Sequence, residues 1–282
     1  MSNQDSFLPV DYDPSVPVAV IAGRGDYPGL SVEAMRRRGV PVRLVGFTGE
    51  TRPELVEAFP EGEREVLKVG QLGRMLKALR RMEARYVLMA GQITPGRLFR
   101  DLHPDLKAIR ILAMLRERNA ATIFGAICRE IEAVGVSILD ARAFLGDSLA
   151  TEGCMTGGRL RCDPDHVEHG VRIARAVAAL DIGQGVVVRK GTVLAVEAFE
   201  GTDDMLGRAN KYKTDQLIFV KTSKPDQDFR YDVPVFGPRT LEVMHSSGIS
   251  TACLEVGNTL ILQKERVLAQ ARTYEIQIHG YS

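Results

Sequence analysis

The amino-terminal half alternates short, almost wholly apolar runs with longer stretches of helical periodicity, and this alternation narrows the fold more than any other feature. Val16–Gly23, Val40–Gly46, Glu65–Val69, Arg85–Gly91 and Gly135–Leu139 read as strands, each short, apolar and bounded by turn residues. Between them, Gly29–Arg38, the stretch through Met82, and Asn119–Ala133 carry apolar residues at helical spacing, with Gly39 ending the first. Consecutive strands joined by helices cannot form hairpins. They must cross over and pair in parallel, which predicts a doubly wound, Rossmann-like α/β domain. Strands buried on both faces by such helices need no polar alternation, and these runs show little.

After Asp140 the rhythm changes. Residues 141–165 are glycine-rich and irregular, and a helix is expected over His166–Leu180. Val186–Phe199 reads as two strands around a tight Lys190-Gly191 turn. A short helix (Asp203–Tyr212), a strand (Gln216–Val220) and a polar loop (Lys221–Asp232) follow. Next come a helix near Thr240–Ser246, a hairpin turning at Gly257-Asn258, a helix near Lys264–Ala271 and a last strand. The expectation is an α+β carboxy-terminal domain, with the chain divided as a flexible lead-in over 1–16, a Rossmann-like domain over 17–141 and a catalytic domain over 142–282.

Composition removes several function classes. Lys and Arg number 37 against 36 Asp and Glu, so the basic excess of a nucleic-acid binder is missing and no nucleic-acid partner is expected. No apolar run approaches the roughly 18 residues of a membrane span. The opening residues lack the basic and apolar regions of a signal peptide. Cys128, Cys154, Cys162 and Cys253 have no metal-finger spacing and read as reduced thiols of a cytoplasmic protein, Cys128 as a core residue.

Four places could hold chemistry. Gly23–Pro28 joins a strand to a helix, where glycines let backbone N–H groups approach a phosphate. It resembles a dinucleotide fingerprint but has Pro28 where a small residue belongs, and Arg24 and Asp26 would crowd a pyrophosphate. A phosphate site, an NAD site and a plain tight turn all stay open there. In the segment Glu200–Asp204, Thr202 is expected as a helix N-cap with acids in the first turn. Alternatively, Glu200 and Asp203 leave the strand end together as hard oxygen donors suited to Mg²⁺. The loop from Lys221 to Thr240 concentrates lysines, arginines and aspartates that could hold phosphate oxygens and orient water, or could simply be solvated. His166 and His169 share a helix face, which suits zinc, but Asp163-Pro164 ahead of them reads as a helix start.

Three blocks carry a family resemblance: Leu180–Gln184, Val193–Leu206 with its Glu-Gly-Thr-Asp run, and Lys224–Thr240 with its Arg-x-Asp-x-Pro run. Together with Ile21–Pro28 and Met89–Gln92, they resemble the LpxI-type UDP-2,3-diacylglucosamine diphosphatases, or DUF1009 family. The resemblance implies a Rossmann-like first domain, a second domain of its own fold, and substrate held between them. It implies hydrolysis of a pyrophosphate to UMP and 2,3-diacylglucosamine 1-phosphate in lipid A biosynthesis, with Mg²⁺ or Mn²⁺. It places catalysis on Asp232 and Asp203, and metal binding on Asp232, Glu200 and Asp203. Substrate contacts fall on Gly23, Gly25, Pro28, Gly91, Gln92, Thr202, Lys224, Gln227 and Arg230. Arg24 interrupts what is usually a run of three glycines, and Ala141–Cys162 matches poorly. The implied partner is a UDP-linked acylated sugar met at a membrane surface, with a peripheral place at the inner face and a homodimer left open. The alternatives are a binding protein that has lost turnover, and an NAD-dependent dehydrogenase.

Overall fold

The computed structural model describes residues 7–93, 104–117, 119–212 and 215–282. The chain forms two compact units, one of Met1–Phe144 with Phe229–Tyr231 and one of Leu145–Asp228 with Asp232–Ser282.

The first unit runs β1 (Val18–Ala22), α1 (Tyr27–Arg37), β2 (Val42–Phe47), α2 (Pro53–Glu57), β3 (Arg64–Leu67), α3 (Leu72–Arg81), β4 (Tyr86–Ala90), α4 (Leu106–Met114), α5 (Ala120–Glu132) and β5 (Ser137–Ile138). Its sheet has the order β3-β2-β1-β4-β5 and every pair is parallel, as expected of a Rossmann-like domain. In β1, Val18 lies opposite both Val42 and Tyr86, and every residue of β1 and β4 is buried. Helix α5 falls within the expected Asn119–Ala133 stretch, and Asn119 proves to be its N-cap, its side chain accepting from the Thr122 N–H at 2.9 Å. Helix α4 has no counterpart among the elements expected from the sequence. Asp105 starts it, accepting from Ala108 N–H at 3.0 Å and from Gly73 N–H in α3 at 2.6 Å. Of the lead-in, residues 7–16 are described, and the Tyr12 ring packs on Tyr86 and Phe144 at centroid distances of 5.0 and 5.8 Å.

The second unit runs β6 (Gly153–Cys154), α6 (Pro164–Ala179), β7 (Gly185–Arg189), β8 (Thr192–Val196), α7 (Thr202–Ala209), β9 (Leu217–Lys221), β10 (Val235–Phe236), α8 (Pro238–Ser246), β11 (Ile249–Glu255), β12 (Leu260–Ile261), α9 (Lys264–Thr273) and β13 (Gln277–Tyr281). A six-stranded mixed sheet has the order β6-β13-β11-β9-β7-β8, with β9, β11 and β13 parallel at its centre. Strand β9 shows why the centre is stable. Leu217 and Phe219 enter a core with Met205 of α7, Leu241 of α8 and Val267 of α9, while Ile218 and Val220 enter another with Val167 and Ala174 of α6. Lys190 and Gly191 both take positive φ, the turn that a two-residue β7–β8 hairpin requires.

The expected hairpin at Gly257-Asn258 is a turn but not a hairpin. Both edges of β11 are already taken by β9 and β13, so the chain leaves the sheet and β12 pairs in parallel with β10 instead. No helix among the described residues is long and apolar enough to cross a membrane.

Candidate functional site

In the second unit, topology brings the predicted carboxy-terminal residues to one edge of the sheet. Because β9, β11 and β13 are parallel, Lys221, Glu255 and Tyr281 end together; because β7 and β8 run in alternating directions, Gly185 lies opposite Lys221 and Val186 opposite Val196. The segments after β8 and β9, carrying Glu200–Asp203 and Lys224–Asp232, therefore leave from the carboxyl edge, where open parallel sheets place ligands.

Two buried polar networks line this edge, and the sequence pointed to neither. In the first, the Lys221 ammonium donates to the Thr202 hydroxyl at 3.0 Å and lies 3.8 Å from Glu197, while Thr202 donates to Glu197 at 2.6 Å. Thr202 is thus not the N-cap that its type suggested. Gly201 takes that position with φ 84°, and the hydroxyl is engaged by two partners outside the helix. Gly185 makes room for them, since a Cβ there would stand 2.6 Å from the Glu197 carboxylate. In the second network, one Glu255 oxygen accepts from the Ser223 N–H and hydroxyl, both at 2.6 Å, and from the Thr222 hydroxyl at 3.1 Å. Asn258 donates to Ser223 at 3.1 Å, and the Tyr281 hydroxyl donates to the Lys221 carbonyl at 3.0 Å. Burial raises the Tyr281 phenol above its ordinary range. A lysine and a glutamate at the ends of apolar strands were the available signals, but their partners lie far away in sequence.

The predicted carboxylates differ in environment. Glu200 is exposed and pairs with Arg208 at 2.5 Å; its own backbone N–H and then Arg208 hold its carboxyl below the usual range. Asp203 pairs with Arg239 at 2.8 Å and accepts from Thr240 at 3.1 Å, both at the start of α8. Asp232 is half-buried, and among the described residues its carboxylate has neither an ion pair nor a side-chain hydrogen bond. Its loop is pinned by Gln227. That amide accepts from the Lys224 N–H at 2.9 Å and from Gln184 at 3.0 Å, and donates to the Asp232 carbonyl at 2.7 Å. Lys224 pairs with Asp181. Arg230 and Tyr231 belong to the first unit, where Arg230 meets Glu132 at 2.7 Å and Tyr231 stacks on Phe124 at 5.6 Å.

Among the described residues, no three His, Cys, Asp or Glu side chains converge as a metal cluster. A cage built from Glu200, Asp203 and Asp232 therefore does not fit the arrangement. Mg²⁺ bound in its more usual way does, because that ion takes one or two carboxylates and completes its shell with water and substrate phosphate, and Asp232 is an uncompensated hard donor. His166 lies in the first turn of α6, behind Asp163, whose carboxylate accepts from the Asp165 N–H at 3.0 Å. His169 Nδ1 contacts Arg172 at 3.1 Å. His166 and His245 line a groove of about 670 Å³ beside the opposite edge of the sheet, with His245 stacked on Tyr274. All four cysteines are free thiols, with Cys128 in the core of the first unit.

In the first unit, Gly23 and Gly91 serve close backbone approach. Arg24 N–H donates to the Gln92 carbonyl at 2.7 Å, and Gln92 N–H donates back to Arg24 at 3.2 Å. A Cβ on Gly23 would stand 2.5 Å from the Gln92 oxygen, and one on Gly91 2.6 Å from the Arg24 oxygen and 3.0 Å from the Pro28 ring. Gly25 has φ 95° with open space around it, and Asp26 pairs with Arg52 at 2.7 Å. Residues 94–103, His103 among them, lie outside the described residues. Beneath this turn is an apolar cavity of about 130 Å³, lined at the strand ends by Ile21, Phe47 and Met89 and walled by Met75, Ile111 and Phe124. It suits a hydrocarbon chain rather than a dinucleotide, since it offers apolar walls and few polar groups.

Residues 17–148 match the family model described as the LpxI N-terminal domain, and residues 151–279 match the LpxI C-terminal domain. The chain is also similar to the UDP-2,3-diacylglucosamine pyrophosphatase LpxI of Caulobacter vibrioides, with 30% identity over 271 residues that cover 90% of this chain and 93% of the relative.

Proposed function

As the chain belongs to the LpxI family, we propose that it hydrolyses the pyrophosphate of UDP-2,3-diacylglucosamine to UMP and 2,3-diacylglucosamine 1-phosphate, a step of lipid A biosynthesis, with Mg²⁺ or Mn²⁺. The observation that carries the reading at the level of chemistry is Asp232, an uncompensated carboxylate on a loop fixed by Gln227 at the carboxyl edge of a parallel sheet. Water adds to one phosphorus of the anhydride, and the bond from that phosphorus to the bridging oxygen breaks with its electron pair passing to the oxygen. Asp232 orients the water, which leaves its hydroxyl on the attacked phosphorus while its other proton passes to the released bridging oxygen. Asp232 is the residue that would hold the divalent ion, which would supply neutralisation of phosphate charge. Lys224 offsets further phosphate charge by exchanging its exposed partner Asp181 for substrate oxygens. Glu200, Thr202 and Asp203 hold the start of α7 in place. The acyl chains bring the enzyme to the cytoplasmic face of a membrane.

The test is incubation with UDP-2,3-diacylglucosamine with and without Mg²⁺ and EDTA, following UMP by chromatography. UMP should form, stop with EDTA, and fall by about 10²–10⁴-fold in Asp232→Ala at an unchanged melting temperature. A folded Asp232→Ala protein at the wild-type rate would refute the assignment. Binding of the UDP-sugar without UMP from wild type would instead favour a non-catalytic carrier.

A further inference from the structure

Helix α4 is apolar on two faces. Ala108, Ile111 and Leu112 turn inward and line the hydrocarbon-sized cavity. The exposed positions of the same helix are Leu106, Ile109, Arg110, Ala113 and Met114, spaced as one continuous stripe along its outer side. Three of them are large and apolar, with Leu106 86%, Ile109 50% and Met114 74% exposed. A helix at the surface of a water-soluble domain ordinarily carries its polar residues on this side, and a helix apolar all round is one that something else covers. Its charge says what. Arg110 lies within the stripe and Arg116 just beyond it, both exposed, and Glu117 is an exposed acid beside them among the described residues. Lys107 is satisfied by Glu130 at 2.5 Å. Large apolar side chains interleaved with arginines make a surface that enters the headgroup region of an anionic bilayer.

We propose that the outer face of α4 is the membrane-docking surface of this protein, seating Leu106, Ile109 and Met114 among the lipids of an anionic bilayer while the inner face of the same helix walls the cavity. One helix then touches the bilayer on one side and a receptacle for hydrocarbon on the other, which shortens the path of an acyl chain through water. This rests on the proposed lipid-linked substrate for its purpose, but not for its test.

Flotation of the full chain with vesicles of phosphatidylglycerol and phosphatidylcholine, and with phosphatidylcholine alone, decides it. Wild type should float with the anionic vesicles and much less with the neutral ones. Leu106→Glu/Ile109→Glu/Met114→Glu should lose at least tenfold in bound fraction at an unchanged melting temperature, and Arg110→Glu/Arg116→Glu should lose the preference for phosphatidylglycerol. Leu106→Ser/Met114→Ser provides a milder pair should the triple variant fold poorly. Hydrolysis of detergent-solubilised UDP-2,3-diacylglucosamine should stay unchanged in these variants, while hydrolysis of vesicle-embedded substrate falls. Equal flotation of wild type and folded variants overturns the proposal. So does a wild-type dimer, seen by sedimentation, that the same substitutions convert to monomer, since the stripe would then join two copies. Absence of any hydrolysis by wild type counts against the proposed reaction, and the flotation result still decides the docking surface.

Discussion

Replacing Lys221 by Met would test whether the buried network at the carboxyl edge holds the second unit together. The Lys221 side chain is 7% exposed and its partner Glu197 13%, with the charged atoms 3.8 Å apart. At an effective dielectric constant of about 20, that separation corresponds to about 4 kcal/mol of attraction. The methionine also removes the ammonium hydrogen bond to Thr202, worth roughly 1.5–3 kcal/mol before desolvation is subtracted. What remains is a largely buried carboxylate beside Gly185, one oxygen of which has no hydrogen-bond partner, with no cation to compensate it. Leaving one member of a buried pair in that state costs about 3–5 kcal/mol, which at roughly 2–4 °C per kcal/mol lowers the melting temperature by about 6–20 °C. The decisive comparison is Lys221→Met/Glu197→Gln. The glutamine still accepts the Thr202 hydroxyl, but no charge is left buried, so the double variant should recover at least half of the loss. Thermal unfolding of wild type, both single variants and the double variant completes the cycle. A Lys221→Met protein within about 1 kcal/mol of wild type, or a double variant as unstable as the two singles summed, would refute the reasoning.

Gln227→Ala should lower kcat by about 10–100-fold, because the Asp232 loop loses its three anchoring hydrogen bonds and the carboxylate drifts by a fraction of an ångström or more. A rise in KM with kcat unchanged would show instead that the amide binds substrate. Burial lowers the pKa of His279, with Glu152 partly opposing it, so the unfolded chain binds the proton first as pH falls. The stability carried by neutral His279 is therefore complete above the ordinary histidine range and declines as the medium is acidified through and below it. Melting temperature measured from pH 7.5 to 5 should fall less steeply in His279→Asn than in wild type, and parallel slopes would show that another group is responsible.

Sequence and structure agree where the physics is local. Strands β1 and β4 were recognisable because parallel strands covered on both faces must be apolar at every position, and α5 because Asn119 followed by helical spacing admits one reading. Helix α4 is not legible in the sequence for the opposite reason, since apolar residues on both faces erase the periodic contrast that marks a helix. At the site, Asp232 could be picked out by its motif, yet nothing in its neighbourhood showed that it differs from Glu200 and Asp203. Their arginines, Arg208 and Arg239, make that difference. The type of Thr202 suggested a cap, and only the arrival of Lys221 from another strand gave its hydroxyl a different task.

The sequence by itself determined the two-layered logic of the chain: parallel strands from continuous apolar runs, crossovers from their spacing, and the motif blocks that place it among its relatives. Tertiary structure decided which charges are compensated and which stand open. It brought Ser223 and Glu255, 32 residues apart, into one network, left Asp232 without an ionic partner among the described residues, and turned one face of α4 to a cavity and the other to solvent. The physical reason is range. Backbone preference and burial periodicity act over a few neighbouring residues and are written in order along the chain. A charge or a hydroxyl answers to whatever stands within a few ångströms, and only strand order and register decide what that is.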